Sequence, residues 1–115
     1  MLSWQTARKL ALALPEAEEQ THFDKPSFRV RGRIFATLSV PDARVTLKLP
    51  PADQMALTML NGDSIRAVEG YWGRQGWTEV KLEGTHAEEL KGLLLQSWRL
   101  VAPKQLIKAQ SQLQQ

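Results

Sequence analysis

The run from Ser27 to Leu49 constrains the fold more than any other stretch of the chain. Ser27-Phe28-Arg29-Val30-Arg31 alternates polar and apolar residues, and Gly32 interrupts it. Arg33-Ile34-Phe35-Ala36-Thr37-Leu38-Ser39-Val40 and Ala43-Arg44-Val45-Thr46-Leu47-Lys48-Leu49 then follow on either side of Pro41-Asp42. Alternation of period two, broken only by turn residues, is the mark of half-buried strands in a meander. Pairing Val40 with Ala43 across a two-residue turn sets Leu38 opposite Val45, Ala36 opposite Leu47 and Ile34 opposite Leu49. Every pair on that face is apolar, and a slip of one residue would turn the whole set to water. A three-residue Arg31-Gly32-Arg33 loop, with Gly32 supplying a positive φ, sets Val30 opposite Ile34 and Phe28 opposite Ala36.

The apolar face belongs to a core that helices must cover. The opposite face is then predicted to carry Arg29, Arg31, Arg33, Phe35, Arg44 and Lys48, separated by serine and threonine. The stretch holds five basic residues against one acid, a net +4, whereas the whole chain carries only +3. The excess positive charge is therefore concentrated on the meander, and alternation places most of it on one side of the sheet.

At 115 residues, the chain is expected to form one domain spanning 1–115 with a core of ordinary size. It has no cysteine, which excludes disulfides, thiolate metal sites and cysteine nucleophiles. The apolar run Leu10 to Leu14 is too short to span a bilayer and lacks the layout of a secretory signal, so a cytoplasmic protein with no membrane partner is expected. A pI near 9.5 suits an anionic partner.

Ser3 is placed to cap a first helix whose buried stripe is Ala7, Leu10, Ala11 and Leu14, ended by Pro15. Glu16-Ala17-Glu18-Glu19 reads as a solvated acidic linker. Pro50-Pro51 opens a second helix, with Asp53 in its first turn and Ala52, Met55, Ala56, Met59 and Leu60 as its inward stripe. Ser64 to Val68 reads as a short helical or irregular piece. Gly70-Tyr71-Trp72-Gly73-Arg74-Gln75-Gly76-Trp77 concentrates glycine and aromatic residues. It reads as a glycine-hinged loop that either caps the core or presents Trp72 and Arg74 to a ligand. Trp77 to Leu82 alternates as a fourth strand, with Thr78, Val80 and Leu82 inward. Thr85 and Glu88 form a capping-box pattern ahead of a helix lined by Leu90, Leu93, Leu94, Ser97 and Val101. A last helix after Pro103 turns Leu106, Ile107 and Leu113 inward, and Gln110 to Gln115 is expected to fray. The result is an α+β fold of order α-β-β-β-α-β-α-α. Its antiparallel four-stranded sheet is a β-meander plus one later strand, covered on one face by helices.

Residues that could carry a reaction are sparse. His22 and His86 are the only imidazoles. His22 and Asp24 flank an aromatic residue, a weak acid–base pair, and no two histidines have helical metal-ligand spacing. Neither a Gly-x-Ser-x-Gly elbow nor a phosphate-binding glycine loop of the Walker type is present. No catalytic, cofactor or metal residue is assigned, and a non-enzymatic protein is expected.

Several motifs resemble the MmcQ/YjbR-like family in order and spacing over nearly the whole chain. They are Leu14-Pro15, Lys25-Pro26-Ser27-Phe28-Arg29-Val30, Gly32-Arg33-Ile34-Phe35-Ala36, Val45-Thr46-Leu47-Lys48, Tyr71-Trp72-Gly73 with Gly76-Trp77, and Leu93-Leu94-Leu95-Gln96-Ser97-Trp98-Arg99-Leu100-Val101. The resemblance implies a compact α+β fold akin to type III secretion chaperones and frataxin-like (CyaY-like) domains. It also implies DNA binding through a double-wing motif, with no catalytic residues to carry over. The residues themselves support a weak, largely sequence-independent DNA site made of Arg29, Arg31, Arg33, Arg44 and Lys48 around Phe35, with Arg74 extending it. A protein-interaction module using the same face is the alternative, since arginine and aromatic residues are also what protein interfaces select. An enzyme acting on a small ligand held by the aromatic loop ranks last.

Overall fold

A computed structural model describes residues 2–113, with side chains described through Ser111. The expected Leu113 contact rests on a side chain outside those described; of the Gln110 to Gln115 stretch expected to fray, α5 holds residues 110–113 in a helix, and 114–115 lie outside the described residues. Helix α1 (Trp4–Leu12) starts at Ser3, whose Oγ accepts from the Thr6 N–H at 3.1 Å, and it buries Ala7 and Ala11. Six antiparallel strands follow among the helices: β1 (Ala17–His22), β2 (Lys25–Val30), β3 (Arg33–Ser39), β4 (Arg44–Lys48), β5 (Ile65–Ala67) and β6 (Trp77–Lys81). They form one sheet of order β1-β2-β3-β4-β6-β5. The remaining helices are α2 (Pro51–Leu60), α3 (Tyr71–Arg74), α4 (Ala87–Val101) and α5 (Lys104–Leu113). Helices α1 and α4 lie over one face. The core between helices and sheet holds Phe28, Val30, Ala36, Leu38, Val45, Leu47 and Val80 with Leu90, Leu94 and Trp98.

The sheet therefore has six strands where the alternation pattern predicts four. The supposed acidic linker is edge strand β1, joined to β2 by a two-residue turn in which Phe23 and Asp24 both have positive φ, 50° and 66°. Such a turn matches the twist of a hairpin. Because β1 lies at an edge and is solvated on both sides, it shows no alternation. Its charges discourage further pairing, and one of them, Glu19, accepts from Arg8 of α1 at 2.6 Å. Ser64 to Val68, read as helical or irregular, contains edge strand β5.

A second correction moves several side chains to the other face. The β3–β4 register is as the alternation requires, with Leu38 opposite Val45 and Ala36 opposite Leu47. Between β2 and β3, Phe28 faces Ala36 as expected, but Arg29 pairs with Ile34 and Val30 with Arg33, leaving Phe35 as an extra residue. This β-bulge lets the connecting loop shrink to Arg31-Gly32, at φ 50° and 84°, instead of three residues. Past the bulge the parity of β3 inverts. Val30 faces Arg33, Ile34 turns to the open face, and the Phe35 ring enters the core with no exposure. Ser97 of α4 secures the distortion, since its Oγ donates to the Phe35 carbonyl and accepts from the Lys48 N–H. Two backbone groups beside the bulge are thereby satisfied in a buried site.

Helix α2 also faces the other way from its apolar stripe. Met55, Met59 and Leu60 are exposed, as are Ala52 and Ala56, and the buried residue is Gln54. The helix sits at the β5 end of the sheet. There the Gln54 Nε2 lies 3.0 Å from the Gly73 and Trp77 carbonyls and from Thr78 Oγ1. The expected capping box does not form either. His86 is the N-cap of α4, and Thr85 Oγ1 donates instead to the Lys81 carbonyl at 2.7 Å. Gln110, expected to fray, is buried within α5 and accepts from Arg99.

Candidate binding groove on the open sheet face

The helices leave one face of the sheet open, and a concave groove of about 680 Å³ lies on it. Its floor is Ile34, Thr37, Thr46 and Glu79 from three strands. One wall is the β1–β2 hairpin tip, with His22, Phe23 and Lys25, and the other is Trp72 of α3 with Val68 and Trp77. Ile34 reaches this floor only because of the bulge at Phe35.

Glycines fix the aromatic wall. A Cβ at Gly73 would run into the Val68 carbonyl oxygen, and one at Gly76 into that of Leu49. Gly76 also has a φ of 107°, open to glycine and strained for other residues. Only glycine therefore lets α3 sit against the ends of β4 and β5, which holds Trp72 beside Trp77. Trp77 is half-buried, whereas Trp72 remains 61% exposed and Phe23 87%, so these two rings are presented. Each has an edge-on aromatic neighbour, Tyr71 at 5.3 Å and His22 at 4.5 Å.

The seven residues proposed from sequence are not all brought together. Arg29, Arg44 and Lys48 lie on the open face, in register with Ile34, Lys81 and Trp77. Arg29 Nε donates to Ser27 Oγ at 3.2 Å, and Glu18 stands opposite it on β1. Arg44 pairs with Glu79 at 3.2 Å. Arg33 is on the helix side, where its Nη1 donates to the Val101 carbonyl at the end of α4 at 3.3 Å. Arg31, at the hairpin tip, pairs with Glu16 at 3.2 Å, and that hydrogen bond and charge raise its pKa above the ordinary arginine value. Phe35 is in the core. Arg74 is exposed on α3 but does not line the groove. Lys25, His22, Phe23 and Ile34 belong to the site and were not assigned to it from sequence. The spacing of His22 and Asp24 suggests only an acid–base pair, and nothing in Phe23-Asp24 marks a two-residue hairpin turn.

Lys25 lines the groove, and Arg29 and Lys48 stand beside its lining residues Ile34 and Trp77 in the strand register; none of the three forms an ion pair among the described residues. No cluster of three or more histidine or acidic side chains among the described residues could hold a metal. Likewise, no helix among them is long and apolar enough to cross a membrane.

Comparison with known proteins places this architecture. The model of the YjbR family matches residues 12–100. The crystal structure of Deinococcus radiodurans protein DR2400, whose domain is described as DUF419, superposes with a TM-score of 0.78 at 28% sequence identity. That match covers 91% of this chain and 82% of the Deinococcus chain. A search of curated proteins finds no match.

Proposed function

The chain belongs to the YjbR family, and we propose that it is a non-enzymatic nucleic-acid-binding protein that takes unpaired strands into its open-face groove. The observation that carries this reading is the exposed Trp72 indole, with the half-buried Trp77 in the same groove, on one face with the cations Lys25, Arg29 and Lys48, none of which forms an ion pair among the described residues. Single strands offer both matching features, bases with a π-face and a phosphate chain. A duplex hides its bases and demands a protruding element for its major groove, whereas this site is concave. Among the described residues the one helix that lines the groove is the four-residue α3, too short for a recognition helix, so binding that is largely independent of sequence is expected.

Substitution of Trp72 tests the reading. Trp72→Ala is expected to weaken binding of a labelled oligothymidylate by about 1–3 kcal/mol, the usual value of one base–aromatic stack. Trp4→Ala, on the distant α1, should leave it unchanged. Anisotropy titrations measure both, and an unaffected Trp72→Ala protein would place binding elsewhere. A protein-interaction role has one observation in its favour, the exposed Met55, Met59 and Leu60 on α2. Preference for a protein over any oligonucleotide would point to it.

A further inference from the structure

Glu79 lines two cavities, the aromatic groove and a smaller one of about 350 Å³ further along the same sheet face. In the second, Arg44, Arg66 and Lys81 converge from β4, β5 and β6, with Asp63 and Ser64 at the margin. Arg66 Nε and Arg44 Nη1 both donate to one oxygen of Glu79, at 2.9 and 3.2 Å. Three cations and two carboxylates line this partly enclosed site, a surplus of one positive charge, and the ion pairs run from Arg44 and Arg66 to Glu79. The two guanidinium groups retain N–H donors that Glu79 does not use, in the geometry that phosphate oxygens accept.

We propose that this second cavity is a phosphate-binding pocket, so that one nucleotide lies across Glu79 with its base toward Trp77 and Trp72 and its phosphate on Arg44, Arg66 and Lys81. Trp77 and Lys81 stand about 13 Å apart along β6, at about 3.3 Å per residue, and Glu79 lies midway. The ligand class is therefore a nucleotide carrying a phosphomonoester or phosphodiester, not a free base or nucleoside. Without ligand, Glu79 neutralises the two arginines and holds their side chains in place, and an arriving phosphate competes with it. This inference rests on the open-face reading above but adds a site that the reading does not require.

Two variants, an oligothymidylate and one nucleotide–nucleoside pair test it. Arg66→Ala combined with Lys81→Ala removes two surface cations that lie outside the core. It should weaken oligothymidylate binding several-fold and flatten the salt dependence by about 0.7, the value of one phosphate contact on a single strand. Glu79→Gln should do the reverse, tightening binding and steepening the slope, because the pocket's surplus charge rises. A purely structural Glu79–arginine cluster would not gain affinity when it is broken. Thymidine 5′-monophosphate should bind the wild type more tightly than thymidine, and the double variant should erase that difference. If oligothymidylate binds but the double variant and Glu79→Gln match the wild type, the phosphate pocket is overturned and the groove reading stands. If oligothymidylate does not bind while the monophosphate binds in an arginine-dependent way, the strand-binding reading fails and the pocket stands as a mononucleotide site. Absence of both overturns both.

Discussion

Alanine in place of Phe35 is expected to cost about 3–5 kcal/mol of stability in urea unfolding, the range for deleting a buried aromatic ring. The expectation depends wholly on the bulge. In an uninterrupted β2–β3 register Phe35 would sit in solvent on the open face, and its removal would cost well under about 1 kcal/mol. With the bulge, the ring is fully buried and its carbonyl is held by Ser97. Phe35→Ala would leave a void among closely packed neighbours, while the groove keeps its lining. Enough of the variant should remain folded at low temperature to bind oligothymidylate as the wild type does. A loss below about 1 kcal/mol, or a binding defect in fully folded protein, would restore Phe35 to the open face.

Trp98→Ala is expected to be comparably damaging, again about 3–5 kcal/mol. Trp98 is the largest fully buried side chain, and its indole Nε1 donates to the Pro15 carbonyl at 2.9 Å. It therefore joins α4 to the segment that leads from α1 into β1. Trp98→Phe separates the two contributions. It retains most of the apolar contact but leaves the carbonyl without its donor, for an expected loss of about 1–3 kcal/mol. Chemical denaturation of the two variants side by side checks this, and a Phe variant as stable as the wild type would show that the hydrogen bond contributes nothing.

Much of this architecture is written in local pattern. Leu38, Val45, Ala36 and Leu47 pair as their alternation demands, Thr78, Val80 and Leu82 face the core, and Leu90, Leu93, Leu94, Ser97 and Val101 form the buried side of α4. The bulge is not legible in this way. Arg31-Gly32-Arg33 is equally compatible with a two-residue and a three-residue loop, and one inserted residue leaves no trace in a polar–apolar count. That single ambiguity put Phe35 and Arg33 on the wrong face and concealed Ile34. Strand β1 was hidden because an edge strand solvated on both sides has no reason to alternate. Helix α2 misled for the opposite reason. Its apolar stripe is real, but the hydrogen-bonding demands of the Gly73 and Trp77 carbonyls turn Gln54 inward and leave the methionines in water. For the site, alternation places Arg29, Arg44 and Lys48 on the open face, where the structure has them, and the glycine spacing offers Trp72 as one of two alternatives. Lys25, His22 and Phe23 join them only through the β1–β2 hairpin, which brings the tip of one turn across from α3. Arg66 joins them through β5, whose three residues are too few to show a period.

The salt dependence of oligothymidylate binding tests the central claim most directly. With Lys25 in the groove, Arg29 and Lys48 beside it on the open face, and one further phosphate in the Arg44–Arg66–Lys81 pocket, three to four contacts are available. At about 0.7 per phosphate on a single strand, log affinity should fall against log salt with a slope of about −2 to −3, and duplex DNA should bind more weakly throughout. Replacing Lys25, Arg29 and Lys48 together with alanine should flatten the single-strand slope by about 1.4–2.1. Measurable single-strand binding with that change in slope is the predicted result. No binding at about 50 mM salt, or the same slope for wild type and triple variant, would contradict the assignment of the open sheet face as a nucleic-acid site.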